Sequence, residues 1–202
     1  MPYNKVIAFG DSFTRGDELA DWNALRGNNP LRSSQFTWPA LIAKSLNCDY
    51  KCCAIGGKGN QWIGWMAASR IEQDILCIVN WSWFERFDYV DVATDQWTTT
   101  HPRHEDKLDH YFYRNLDSDV WNLHRNLQQI HSTISLFKQN NIDFIMTCLD
   151  TQYSLTYDNM RPPGSNIFWT NAISSLQEQV VPHIVDFEGM SFLEWSKHNS
   201  FE

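Results

Sequence analysis

With 202 residues, the chain falls in the size range of one α/β domain, and nothing in its composition divides it into two. Its 24 acidic residues outnumber its 16 basic ones, and the formal charge of −8 disfavours nucleic acid or an anionic membrane surface as the main partner. No apolar run approaches the ~20 residues of a membrane span. The polar, acidic start is unlike a signal peptide, so we expect a cytoplasmic protein.

Short apolar runs alternate along the chain with amphipathic segments of helical period. Helices are predicted from Trp38 to Leu46, around Trp62 to Ser69, from Asp117 or Ser118 to about Asn140, and from Trp169 to Val180. The five predicted strands cover residues 6–9, 50–55, 74–80, 142–149 and 183–187. This alternation predicts a flavodoxin-like three-layer α/β/α sandwich around a five-stranded parallel sheet.

Polar residues and glycines follow several of these strands. Ser12, the glycines near 59, the segment from Asn80 to Ser82, and Asp150 all lie at carboxyl ends, where open parallel sheets bind ligands. A serine at a helix start beside free N–H groups can attack a carbonyl and hold the resulting oxyanion. An Asx-type turn that only caps a helix explains the same residues.

The run Gly10-Asp11-Ser12 resembles the first block of the SGNH or GDSL hydrolases, a family of esterases and acylhydrolases. The resemblance implies that Ser12 forms an acyl-enzyme and that the Ser12 N–H contributes to the oxyanion hole. The segment from Ala54 to Gly59 is similar to the second block, with Ala54 in place of an Asn and Gly59 as a further oxyanion donor. The third block, Gly-x-Asn-Asp, is replaced by Asn80-Trp81-Ser82-Trp83, so Ser82 or Asn80 would supply the side-chain donor.

The fourth block of the family, Asp-x-x-His, supplies the general base, and no histidine of this chain has an aspartate three residues before it. His198 is the nearest histidine after the fifth predicted strand and is the candidate stand-in base. We expect that the sequence ends just before its Asp-x-x-His block, as a truncated chain would. A complete but degenerate protein is the alternative.

Residues 1–202 are therefore expected to form one SGNH-like domain with an aromatic and charged insertion at about 84–116. Its aromatic residues could bind the faces of sugar rings or acyl groups. The alternatives are a surface subdomain packed by its own aromatic residues and a contact between subunits of an oligomer. The predicted function is hydrolysis of a small-molecule or carbohydrate-linked ester. The alternatives are a non-catalytic module that binds carbohydrate or protein and, less well supported, a flavodoxin-like nucleotide binder.

No cofactor or metal is expected. His101, His104 and His110 lie among carboxylates but match no zinc motif, and a solvated loop is the simpler interpretation. The five cysteines show neither a metal-ligand spacing nor an even disulfide framework, so free thiols are predicted.

Overall fold

Four parallel strands form the central sheet of this computed structural model, in the order Asp49–Cys52 (β2), Lys5–Phe9 (β1), Ile75–Trp81 (β3) and Asp143–Cys148 (β6). The structure describes residues 3–17, 19–21, 33–102, 107–154 and 167–198. A separate hairpin comprises β4 (Phe87–Asp91) and β5 (Gln96–Thr100). The helices are α1 (Ser12–Arg15), α2 (Trp38–Ser45), α3 (Asn60–Ala68), α4 (Lys107–Asn115), α5 (Asp119–Gln139), α6 (Ile167–Val180) and α7 (Phe192–His198). Two short 3-10 turns lie at Gln152–Ser154 and Val181–His183.

Helices cover both faces of the sheet, which makes the three-layer α/β/α arrangement that the alternation predicted. On one face, Ile7, Phe9 and Val79 join the apolar sides of α3, α5 and α6 in the larger core. On the other face, Val6, Ala8 and their neighbours in β3 pack against α2. All seven residues of β3 are buried, as expected for a central strand that is covered on both sides.

The long helix α5 shows how closely local signals matched the structure. Ser118 is its N-cap, with a side chain that accepts a hydrogen bond from the Trp121 N–H. Leu127 and Ile130 belong to the predicted apolar stripe and are fully buried. No helix among the described residues is long and apolar enough to cross a membrane.

The prediction of a fifth strand at residues 183–187 is wrong. The Val181–His183 segment is a 3-10 turn, Ile184 forms a single parallel bridge with Met146 of β6, and Phe187 bridges Met190 in its own turn and not the sheet. Val185 is half exposed, so this segment gains little burial beside the sheet. Beyond it, Glu188 and Gly189 have positive φ angles in a tight turn, which two backbone hydrogen bonds between Phe187 and Met190 close.

The insertion at residues 84–116 has more regular structure than its sequence suggested. It consists of the antiparallel hairpin β4/β5 followed by α4. Phe87 stacks on Phe112 with ring centroids 4.8 Å apart, and the Tyr113 hydroxyl lies 3.1 Å from the carbonyl oxygens of Glu85 and Thr100. These contacts tie the helix to both ends of the hairpin.

Candidate active site

Ser12 is the first residue of α1, immediately beyond the carboxyl end of β1. The helix has one turn because Asp11 caps its start and Gly16, at φ 79°, ends it. Ser12 is half-buried, and among the described residues nothing hydrogen-bonds to its Oγ or accepts from its N–H. A Cβ placed on Gly56 would lie 3.5 Å from Ser12 Cβ. The fold therefore brings the glycine loop against Ser12.

Asp11, beside Ser12, is a fully buried carboxylate. Its Oδ1 accepts from the Phe13 N–H at 3.1 Å, and its Oδ2 accepts from Ser82 Oγ at 3.0 Å. Burial raises the pKa of Asp11, while the charge of Arg86 and these hydrogen bonds act to lower it. Asp11 thus links the start of α1 to the loop after β3.

Arg86 joins three loops through one nitrogen. Its Nη1 lies 3.1 Å from Asp11 Oδ2 and 2.6 Å from Ser82 Oγ. The same nitrogen donates to the Lys58 carbonyl at 3.0 Å. The Arg86 side chain is only 13% exposed, so most of this charge is removed from water. The loops after β1, β2 and β3 consequently meet at a single guanidinium.

Gly59, a predicted oxyanion donor, directs its N–H to a carboxylate from the hairpin. The Gly59 N–H donates to Asp88 Oδ1 at 2.9 Å, and the Trp62 N–H donates to Asp88 Oδ2 at 3.0 Å. Because it accepts from these two N–H groups, the Asp88 carboxylate caps the start of α3, and it is buried, with 5% of its surface exposed. Since Lys58 O and Gly59 N belong to one peptide group, Arg86 and Asp88 hold that peptide from opposite ends.

Ser82 and Asn80, the two predicted side-chain donors, are both buried. The Ser82 hydroxyl is already donated to Asp11. Asn80 Oδ1 accepts from Thr147 Oγ1 at 2.9 Å, whereas its Nδ2 has no acceptor among the described residues. The Asn60 side chain bonds both the N–H and the carbonyl of Ser82, at 2.7 and 3.0 Å, and so fixes this loop to α3.

His198, the candidate base, is the exposed last residue of α7. Within the described residues, no histidine hydrogen-bonds to Ser12. His101 lies at the glycine loop, with its Nε2 3.4 Å from the position a Cβ would take on Gly57. His104 lies outside the described residues.

Asp150 follows β6 at the same sheet edge and carries a perturbed carboxyl. Burial, with smaller contributions from the charges of Glu85 and Glu194, raises its pKa to about 6, although a hydrogen bond from the Gln152 N–H opposes the shift. Its Oδ2 is buried with no partner among the described residues.

No group of three or more His, Cys, Asp or Glu in the described part of the chain is arranged to hold a metal ion. All five cysteines are free. Cys77 and Cys148 lie inside the sheet, where burial raises the pKa of both thiols and keeps them protonated.

Arg86 and Asp88 are the two site residues that sequence reasoning missed. They flank Phe87 in a segment without a clear period, and neither belongs to a recognised block. Arg86 directly precedes β4 and Asp88 is the second residue of that strand, so no strand period covers both of them. Only the placement of the hairpin shows that their side chains meet the glycine loop.

No protein-family model matches this sequence, and no curated protein matches it. Among solved structures, the chain is similar to a protein assigned to the G-D-S-L lipolytic family from Desulfitobacterium hafniense DCB-2, with 14% identity and a TM-score of 0.44, over 98% of this chain and 74% of that one. It is also similar to an acetyl xylan esterase from the rumen bacterium Butyrivibrio proteoclasticus, with 12% identity and a TM-score of 0.43, over 98% and 65% of the two chains. A third is phospholipase A1 from Streptomyces albidoflavus NA297, with 11% identity and a TM-score of 0.37, over 98% and 76%.

This chain thus spans between 65% and 76% of the length of these three solved chains. Their TM-scores are all below 0.5, so the chemistry of this chain has to follow from its own side chains. By name they are lipolytic proteins and esterases, and they include the G-D-S-L family that Gly10-Asp11-Ser12 resembles.

Proposed function

We propose that this chain is an ester hydrolase in which Ser12 is the nucleophile. The observation that carries the proposal is the position of Ser12 at the carboxyl edge of a parallel sheet, as the first residue of a helix and beside Gly56 of the glycine loop. Its Oγ has no competing hydrogen bond within the described residues, and its N–H has no acceptor there. A hydroxyl and an adjacent free donor are two of the components that acyl transfer requires, and a base is the third.

In the proposed reaction, Ser12 Oγ attacks the carbonyl carbon of the ester and its proton passes to a base. The bond to the alkoxide breaks, the alkoxide takes up a proton, and the acyl group stays on Ser12. Water then attacks the acyl-enzyme, releases the carboxylic acid and restores the hydroxyl. No metal or cofactor enters this scheme.

The oxyanion needs donors, and the four predicted residues differ in what they can offer. The Ser12 N–H and the Asn80 side-chain amide each have a hydrogen with no acceptor among the described residues. Gly59 and Ser82 would each have to exchange a carboxylate acceptor for the oxyanion. The Ser12 N–H is therefore the first donor in the proposal, and the other three remain predictions.

The base is the component for which the described residues offer least support. His198 is exposed and makes no hydrogen bond to Ser12. Free imidazole in solution can substitute for a missing base, which provides a direct test of whether Ser12 is otherwise ready to react.

The test is hydrolysis of p-nitrophenyl acetate, with and without added imidazole, together with labelling by a fluorophosphonate probe. We expect labelling at Ser12, hydrolysis by the wild-type chain that imidazole stimulates beyond the rate of imidazole without protein, and loss of both in Ser12→Ala. Ser45→Ala, at an exposed position at the end of α2, is the control and should behave as wild type. Equal labelling and stimulation in Ser12→Ala, or none in any form, would rule out the proposal.

A second candidate function, carbohydrate binding without catalysis, is favoured by one surface feature. Trp65 of α3 is half exposed and lies 5.7 Å, centroid to centroid, from Trp97 of the hairpin. Exposed aromatic faces of this kind suit sugar rings. Saturable oligosaccharide binding that is lost in Trp65→Ala, in a protein whose Ser12 does not react with the probe, would support this alternative.

A further inference from the structure

Asp11 is a buried carboxylate whose one charged contact among the described residues is Arg86. A buried charge that loses its partner becomes strongly unfavourable, because no water replaces the lost interaction. Asp11 also accepts the Phe13 N–H, which is the capping bond of the helix that begins with Ser12. Whatever holds the Asp11 carboxylate therefore also holds the start of that helix.

The backbone of Arg86 is held in place by a side chain of the long helix α5. Its backbone carbonyl accepts a hydrogen bond from Arg125 Nη2 at 2.9 Å, and Arg125 belongs to the buried side of α5. With its backbone fixed in this way, Arg86 places its guanidinium within hydrogen-bond distance of Asp11 Oδ2, Ser82 Oγ and the Lys58 carbonyl. A planar and permanently charged group is well suited to join several acceptors.

We propose that Arg86 is a positioning residue for Ser12. It acts through Asp11 on the start of α1 and through the Lys58 carbonyl on the glycine loop, so that nucleophile and loop keep a constant separation. This inference rests on the proposed nucleophilic role of Ser12. It gives a role to Arg86, the residue before β4, which belongs to none of the four family blocks.

The test compares Arg86→Gln and Arg86→Lys with the wild-type chain by two readouts. The first is the rate of fluorophosphonate labelling at Ser12, which we expect to fall about tenfold in Arg86→Gln, the effect expected when a charged hydrogen-bond partner is lost. The second is hydrogen exchange of the Phe13 amide, which should accelerate by a similar factor. Arg86→Lys, which keeps the charge, should restore most of both.

Arg114→Gln, at an exposed arginine of α4, is the matched control and should leave both readouts unchanged. Asp11→Asn combined with Arg86→Gln should lose less labelling rate than the two single losses multiplied together, because both changes interrupt the Asp11–Arg86 contact and only the Lys58 contact is lost in addition. Additive losses would overturn the proposed route through Asp11.

The two proposals can fail separately. If the wild-type chain does not label at Ser12, the proposed function fails, while Phe13 exchange still measures what Arg86 holds. If Ser12 labels normally in a folded Arg86→Gln variant and Phe13 exchange is unchanged, the positioning role of Arg86 is wrong and the nucleophilic role of Ser12 stands.

Discussion

At the scale of single residues, the chemistry of the candidate site depends on which donors already have a hydrogen-bond acceptor. The Ser82 hydroxyl and the Gly59 N–H both point at carboxylates, so the two donors that sequence reasoning placed in an oxyanion hole are occupied. Ser12 differs, because nothing among the described residues competes for its hydroxyl. The residue types alone identify these groups as candidates. Whether each group is free to bind a substrate depends on the residues that surround it in the fold.

Asp150 gives a prediction about pH and stability. Its folded pKa of about 6 lies above the ordinary value of 3.8, so between these pH values the folded chain keeps a proton that the unfolded chain releases. The free energy of unfolding should therefore fall as pH rises from about 4 to 6, by up to ~3 kcal/mol from this one group, and then level off.

Urea unfolding of the wild-type chain and of Asp150→Asn at several pH values measures this contribution. We expect Asp150→Asn to be more stable than wild type at pH 7 by about 1–3 kcal/mol and nearly equal at pH 4, since Asn carries no charge to bury. A difference between the two proteins that stays constant over this range would contradict the assignment.

At the scale of elements, the hairpin β4/β5 supplies a carboxylate to the start of α3. Asp88 caps α3 by accepting from the Gly59 and Trp62 N–H groups, and the Thr99 hydroxyl of β5 also donates to it. A helix start has N–H groups that require acceptors. The insertion thus completes a helix that is distant from it in sequence.

Asp88→Ala should consequently destabilise the chain by about 2–3 kcal/mol, because it removes a helix cap and leaves buried donors without an acceptor. Chemical denaturation followed by far-UV circular dichroism measures this loss. Asp95→Asn, at an exposed position in the hairpin turn with φ 53°, is the control and should change stability little. A neutral effect of Asp88→Ala would show that α3 does not depend on this cap.

At the scale of the whole molecule, the larger of the two apolar cores connects the sheet with the helices on one of its faces. The larger core joins β1, β3 and β6 to α3, α5 and α6, and it includes the fully buried Leu127. Because these elements share one core, the expected single domain should unfold as one cooperative unit.

Leu127→Ala should lower the free energy of unfolding by about 2–5 kcal/mol, as buried leucine deletions do. Tryptophan fluorescence and circular dichroism should follow coincident transitions in both the wild-type chain and the variant. Leu116→Ala, at an exposed position after α4, should have little effect. Two separate transitions would contradict the single-domain prediction.

Periodicity along the chain predicted the order of four sheet strands and of the four helices α2, α3, α5 and α6, because it is a local property of each segment. The parallel arrangement of the strands then predicted that Ser12 and the glycine loop lie at one edge of the sheet. The single bridge from Ile184 to the sheet, in place of a fifth strand at residues 183–187, became visible only once the chain was folded. The position of Arg86 and Asp88 in the site also became visible only then. Both outcomes depend on pairing between distant segments, where burial and charge complementarity are created by the fold and are not visible in any one stretch of the chain.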